Sequence, residues 1–119
     1  MKKITNKEFI VIMENHQKWQ NSDGGERAYF KKLDLRGCDL RGCNLDFSCL
    51  DLSCRTLQTI FDQRHIIQFL YHAAMPAQNN DLGLLDDDLK ELFESELFKK
   101  VVNKFHRVKE CSEFTGIKK

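Results

Sequence analysis

The sequence lacks a strong charge of either sign, a long apolar run and the familiar motifs of catalysis. Nineteen basic residues against eighteen acidic ones leave a formal net charge of +1, so the overall charge indicates neither nucleic-acid binding, nor an anionic membrane partner, nor mimicry of DNA. No apolar stretch approaches the roughly 20 residues that span a bilayer. The start, MKKITNKEFIVIM, interrupts its apolar run with polar residues and has no small-residue cleavage site. It predicts a mature cytoplasmic protein without membrane contact.

Motifs for bound nucleotides and metals are also missing. There is no phosphate loop, GxSxG elbow or HExxH zinc motif, and two adjacent glycines at 24–25 are too short for a nucleotide fingerprint. Four of the five cysteines lie in one stretch without the CxxC spacing of a zinc site, and a reduced cysteine is a suitable small interior side chain. They are Cys38, Cys43, Cys49 and Cys54. We therefore expect no catalysis, no cofactor and no bound metal.

The sequence does contain a period of five residues, from Ala28 to Leu57. This period fits neither regular element, because each step of five rotates a side chain by about 140° on a helix and reverses its face on a strand. A backbone that turns a corner in every block would bring one large and one small apolar side chain inward per block. The large column is Phe30, Leu35, Leu40, Leu45 and Leu50, and the small column is Ala28, Leu33, Cys38, Cys43, Ser48 and Ser53.

The blocks C-D-L-R-G at 38–42 and C-N-L-D-F at 43–47 resemble the pentapeptide-repeat family, whose blocks carry a small residue, then Asp or Asn, then Leu. That resemblance implies an α+β protein built on a short right-handed quadrilateral β-helix. Six blocks would make only about one and a half coils, too few to bury a core alone, so flanking helices must supply the missing walls. Arg55 replaces the inward Leu of the last block, and the repeat is expected to end there.

Two further segments resemble short phage- and prophage-encoded members of that family. One is a His-x-x-Trp helix end followed by Gly-Gly-x-Arg-Ala, and the other is a Phe-His-Arg-x-x-Glu-Cys ending. The first comprises His16, Trp19, Gly24, Gly25, Arg27 and Ala28, and the second comprises Phe105, His106, Arg107, Glu110 and Cys111. The resemblance implies a virus-encoded protein whose leading helix caps the repeat.

Helices are predicted on both sides of the repeat. The first is Asn6–Gln20, capped by Thr5 or Asn6 and stopped by the glycines at 24–25. A second runs from about Leu57 to Ala74 with Pro76 ending it, a polar connector covers 77–83, and a third runs from Asp86 to about Val108 with a break at 94–96. At 119 residues we expect a single domain. Its parts are a capping helix at 6–21, the repeat at 28–57, a helical region at 58–108 and a coil tail at 109–119.

Candidate interaction residues lie on the repeat and near the end of the chain. Arg36 and Arg41 could reach a phosphate or carboxylate, or pair with the aspartates beside them. Asp46 lies at the same block position as these arginines, so opposite charges can lie beside each other on successive blocks. Phe47 and Leu52, with Leu57, form an apolar column at outward positions, either covered by a flanking helix or free to bind a partner. His106 and Arg107 are the last two candidate interaction residues. His106 could also form a nucleophile or metal site with Cys111 and Glu110.

The resemblance favours a non-catalytic protein-binding module, encoded by a phage or prophage, that occupies a host protein surface in the host cytoplasm. Inhibition of a host defence system, of the anti-CRISPR or anti-restriction kind, is the role that we expect. The alternatives are a small enzyme or metal-binding protein using His106 and Cys111, and a DNA-mimic topoisomerase inhibitor, which the net charge and short repeat disfavour. Self-association through Phe47, Leu52 and Leu57 is a third. Direct binding of nucleic acid is not expected.

Overall fold

The computed structural model describes residues 2–31, 33–78 and 85–117. The chain forms two compact units, Met1–Asp62 and Gln63–Lys119, called here the N-terminal and C-terminal units. No helix in the described ranges is long and apolar enough to cross a membrane. The expectation that the chain is a single domain stays a prediction.

The first helix, α1 (Asn6–Gln20), has the bounds that the sequence predicts. Thr5 caps it: its hydroxyl accepts a hydrogen bond from the Glu8 N–H at 3.1 Å, and its own N–H donates to the Glu8 carboxylate at 3.2 Å. This reciprocal pair satisfies two backbone donors that the start of a helix leaves open. After the helix, Gly24 and Gly25 adopt φ values of 84° and 70°, which a side chain would disfavour, and the chain turns there.

The predicted fold class is wrong. Regular structure in the described residues is mostly helical, with four α-helices and only two two-residue strands, so a right-handed quadrilateral β-helix of about 1.5 coils is not formed. The strands β1 (Lys2–Lys3) and β2 (Leu33–Asp34) pair in parallel, and the remaining pairings are isolated bridges, Tyr29 with Cys49 and Asp39 with Ile60. The reason is geometric: a chain that turns in every block leaves too few residues between corners to extend a strand ladder.

The two columns of the repeat nevertheless form the core of the N-terminal unit. Phe30, Leu35, Leu40 and Leu45 are buried, as are Ala28 and Cys38 of the small column, while Leu33, Cys43 and Leu50 are partly buried. From α1, Phe9 joins this core with its ring centroid 5.9 Å from that of Phe30. The inward direction of these side chains is therefore as predicted, although turns and single bridges hold the backbone.

The second helix, α2 (Gln63–Gln78), differs from the prediction at both ends. It begins after the predicted start at Leu57 and runs past Pro76, which was expected to end it. Pro76 lies in the last turn, where its missing N–H removes one hydrogen bond without stopping the two residues that follow. Most of the predicted connector at 77–83 lies outside the described residues.

Two short helices follow, α3 (Asp87–Glu94) and α4 (Glu96–Val102), with the break between them where the sequence predicts it. Ser95 makes the break: its N–H donates to the Leu92 carbonyl, and its hydroxyl accepts from the Phe98 N–H at 3.1 Å and so caps α4. The predicted continuation to Val108 is wrong, because α4 ends at Val102 and turns follow.

The core of the C-terminal unit joins α2 and α4 to residues beyond them. Its buried members are Ile67, Tyr71, Ala74, Phe98, Val102, Phe105 and Phe114. Three leucines of the predicted apolar stripe, Leu89, Leu92 and Leu97, are instead exposed. The irregular segment after residue 108 was predicted as coil, yet it supplies Phe114 to this core.

Candidate functional site

The aspartate and asparagine at the second position of successive blocks close the turns of the repeat. In each block the side-chain oxygen accepts a hydrogen bond from the backbone N–H two residues further on, at 3.0 to 3.1 Å. This arrangement is an Asx turn, which lets a short side chain replace a backbone partner at a corner. The pairs are Asp34 with Arg36, Asp39 with Arg41, and Asn44 with Asp46.

The two predicted arginines bind these same aspartates. The Arg36 guanidinium donates to Asp34 at 2.6 and 3.0 Å, and the Arg41 guanidinium donates to Asp39 at 2.7 and 2.9 Å. Hydrogen bonds from the arginine side chain, and then from its backbone N–H, lower the pKa of each carboxyl from 3.8 to about 2. Within these two blocks the opposite charges cancel in pairs, so the acidic ridge of a DNA mimic does not form there.

The buried His16 joins α1 to the repeat and explains the position of Asp46. Its Nδ1 accepts from the Ala28 N–H at 3.0 Å, which places the proton on Nε2, and Nε2 lies 2.9 Å from the Asp46 carbonyl oxygen. The Gln20 amide donates to the same carbonyl at 3.0 Å. The predicted interaction residue Asp46 thus presents its backbone to α1 in a structural contact.

The remaining residues of the His-x-x-Trp and Gly-Gly-x-Arg-Ala segment also pack locally. The Trp19 ring stacks on His16 with centroids 5.7 Å apart, and the Arg27 guanidinium lies 5.8 Å from the Trp19 centroid. A Cβ at Gly25 would come 2.3 Å from the Asn15 carbonyl oxygen, so only glycine fits at this approach. The segment fixes the helix to the repeat, and its contacts with His16 and Arg27 give Trp19 a structural role.

The apolar column that the sequence places at outward positions is exposed. Phe47, Leu52 and Leu57 expose 59%, 58% and 60% of their surface. Phe47 also has a φ of 65°, in the left-handed region that a bulky side chain disfavours by about 1–2 kcal/mol. Gly37 and Gly42 occupy the same position of the two preceding blocks with φ values of 83° and 79°. The turn therefore favours glycine, and phenylalanine stands there with an exposed ring.

The predicted residues near the chain end form a turn. The Arg107 guanidinium donates twice to the Glu110 carboxylate, at 2.7 and 2.8 Å, so this carboxylate is engaged by arginine. The His106 ring stands edge-on to Phe105 at 4.9 Å, and Cys111 is exposed. In the ranges that the structure describes, no three His, Cys, Asp or Glu side chains are grouped as a metal site would require.

A groove of about 650 Å³ lies between α1 and the two blocks of the repeat at 38–42 and 43–47. Its apolar lining residues, called here the floor, are Phe9, Ile10, Met13 and Cys43, and its other lining residues, called the walls, carry amide or charged side chains apart from Gly42. The wall residues are Asn6, Glu14, Gln17, Gln20, Asn21, Asp39, Arg41, Gly42 and Asn44. Sequence reasoning missed this groove because its two sides are distant along the chain. One signal was available, since the apolar Ile10 lies off the buried stripe of α1.

Cys43 shows that the groove floor is partly shielded from water. Burial raises the pKa of its thiol, and the nearby carboxylates of Asp39 and Asp62 raise it further. The Asp62 carboxylate also accepts from the Gly42 N–H at 2.7 Å, which holds the groove edge in place. Cys43 is therefore a protonated, weakly nucleophilic thiol, suited to packing and not to attack on a substrate.

Comparison with known proteins gives no relative from which a function could be transferred: no family model, curated protein or solved structure matches the chain.

Proposed function

We propose that the protein is a non-catalytic binding module that occupies the surface of another protein. The observation that carries this proposal is Phe47, an exposed aromatic ring on a left-handed turn residue. Strained residues that the rest of a structure holds in place are concentrated at functional sites, and exposed aromatic side chains are typical anchors of protein interfaces. Leu52 and Leu57, which follow at the same block position, add apolar surface of the same kind.

The partner that we propose is a host protein in the cytoplasm of a bacterium, with the chain encoded by a phage or prophage. This part rests on the resemblance of the His16-to-Ala28 segment and of the Phe105-to-Cys111 ending to phage pentapeptide-repeat proteins. A small module that covers a functional surface would act as an inhibitor, and a host defence complex of the CRISPR or restriction type is the target class we favour.

The test combines host-lysate capture with a variant that removes the ring and keeps the turn. Phe47→Gly should leave the fold at least as stable as the parent, because glycine suits a φ of 65°. We expect the parent to retain a specific host protein and Phe47→Gly to retain at least about tenfold less, as for loss of an interface anchor. Leu97→Ala, which alters a side chain that is 71% exposed in α4, is the matched control and should bind like the parent.

The inhibitor role has its own assay. Cells with an active CRISPR or restriction system should become sensitive to phage when they express the parent chain, and Phe47→Gly should restore their resistance. Equal capture by parent and Phe47→Gly, or no captured protein at all, would refute the proposal. If light scattering shows a dimer of the parent that Phe47→Gly dissociates, the surface serves self-association instead.

A further inference from the structure

The groove beside α1 has the shape of a site for an extended chain. Its lining follows one stripe of the helix from Asn6 to Asn21, a rise of about 22 Å. An extended peptide advances about 3.3 Å per residue, so the groove has room for roughly six or seven residues. Its volume of about 650 Å³ lies within the range of pockets that hold ligands. A compact small molecule would leave much of that length empty.

The chemistry of the walls fits a peptide backbone. Five amide side chains line the groove, and an amide carries both a donor and an acceptor, as a peptide unit does. They are Asn6, Gln17, Gln20, Asn21 and Asn44. Two of them already use one group within the protein, because the Asn44 oxygen accepts from the Asp46 N–H and the Gln20 amide donates to the Asp46 carbonyl. Between them the floor formed by Phe9, Ile10, Met13 and Cys43 can receive one apolar side chain, and Ile10 is 55% exposed there. Extended peptides are held by hydrogen bonds to their main chain together with pockets for their side chains, and this lining offers groups of both kinds.

The charges of the groove lining favour a cationic side chain on the bound segment. Glu14, Asp39 and Arg41 are the charged residues of the lining, which gives it a formal charge of −1. The Arg41 guanidinium is committed to Asp39 through bonds of 2.7 and 2.9 Å, so its charge is already matched. Glu14 on the opposite wall is then the group that attracts a cation.

We propose that this groove binds an extended segment of a partner protein in which a basic side chain lies next to an apolar one. The apolar side chain packs on Ile10 and Met13, and the basic side chain lies at Glu14. This inference deepens the proposed function and rests on it, since it names the chemical class of the partner segment.

The test uses three synthetic hexapeptides on the full chain. The probe is acetyl-Gly-Ala-Leu-Lys-Ala-Gly-amide, and its two matched partners replace Lys by Glu or Leu by Ala. We expect saturable NMR shifts at Ile10, Met13, Gly42 and Cys43 with the lysine peptide, and binding at least about threefold weaker for each partner peptide. Glu14→Gln should remove the preference for lysine over glutamate. Ile10→Lys should abolish binding, whereas Val11→Lys, at a neighbouring exposed residue outside the lining, should not.

Three results would overturn the inference. They are the absence of a saturable NMR shift at these residues with peptide at millimolar concentration and in about tenfold excess, equal binding of the lysine and glutamate peptides, and an equal loss of peptide binding in Ile10→Lys and Val11→Lys. Self-association of the parent that Ile10→Lys abolishes would identify a second copy as the occupant and would also overturn it. The experiment needs no host protein. If the peptides do not bind while the parent still captures a host protein in a Phe47-dependent way, only the groove inference is refuted. If the peptides bind while no host protein is captured, only the host-surface proposal is refuted.

Discussion

At the residue scale, His16 decides how α1 is attached to the repeat. Its ring is fully buried and uses both nitrogens, one as an acceptor for the Ala28 N–H and one as a donor to the Asp46 carbonyl. Both partners are backbone groups of the repeat, so a single side chain ties α1 to the repeat at two points, and the Gln20 amide adds a second bond to the Asp46 carbonyl. No shorter or purely aliphatic side chain can make both bonds.

His16→Ala should therefore lower the free energy of unfolding of the N-terminal unit by about 2–4 kcal/mol, from two lost hydrogen bonds and a cavity. Trp19 is the only tryptophan and stacks on His16, so its fluorescence in a urea titration reports this unit. Gln17→Ala, at the exposed next residue of α1, is the control and should change the value by less than about 0.5 kcal/mol. Equal stability of His16→Ala and the parent would show that the bonds to Ala28 and Asp46 contribute nothing.

At the element scale, the Asx turns of the repeat make its stability depend on acid. The carboxyl pKa values of Asp34 and Asp39 fall from 3.8 in the unfolded chain to about 2 in the folded one, chiefly through hydrogen bonds from Arg36 and Arg41. Because the folded pKa is the lower one, these groups stabilise the fold at pH above 3.8, and the contribution is lost as pH falls from about 4 to about 2.

The double variant Asp34→Asn, Asp39→Asn separates the contribution of the two carboxylate charges from that of the turns. Asn44 shows that asparagine closes the same turn, so the variant keeps the corner and loses only the ion pair. We expect it to be less stable than the parent at pH 6, with a difference that shrinks towards zero as pH approaches 2, measured by urea titration at each pH. Asp51→Asn, at an exposed aspartate of the same repeat, is the control and should be as stable as the parent at pH 6. A difference that stays constant from pH 6 to 2 would contradict this account.

The elements that the sequence predicts well are those that local signals define. Thr5 and Glu8 lie three residues apart and close α1 by themselves, and Ser95 both ends α3 and begins α4. The inward columns of the repeat also follow from period alone, since Leu35 and Leu40 are buried. The β-helix was implied by the family resemblance and not by the period, and a chain that turns in every block of five leaves too few residues between corners for a strand ladder.

Errors arose where a residue's effect depends on the rest of the molecule. Pro76 would end a helix in its middle but not in its last turn, and where α2 ends cannot be read from Pro76 itself. Leu97 fits the helical stripe and is nevertheless exposed. The groove could not be predicted for the same reason, because Ile10 and Cys43 become neighbours only when α1 lies across the repeat.

At the scale of the whole molecule, the last described residues of the chain are a structural part of the C-terminal unit. Asn103 binds the backbone of Phe114 twice, donating to its carbonyl at 3.0 Å and accepting from its N–H at 2.8 Å. The Tyr71 hydroxyl donates to the Ser112 carbonyl at 2.6 Å. Further on, side chains of α2 and α3 accept from backbone N–H groups, Gln78 from Thr115 and Glu94 from Ile117, both at 2.7 Å. These bonds order a segment that has no helical or strand period.

Phe114→Ala should accordingly destabilise the C-terminal unit by about 3–5 kcal/mol, because the ring is buried against Phe93 and Phe98 and its loss leaves a cavity. Trp19 lies in the other unit, so the measurement is hydrogen exchange over residues 63–117, where we expect protection to fall by a factor of about a hundred or more in the slowest amides. Leu97→Ala removes an exposed side chain from α4 and should leave exchange unchanged. If Phe114→Ala exchanged like the parent, the segment around Phe114 would contribute nothing to the stability of this core, and the prediction would be wrong. The expected loss instead means that the segment around Phe114, which Asn103 holds in place, is needed for the fold of residues 63–78 and 85–117.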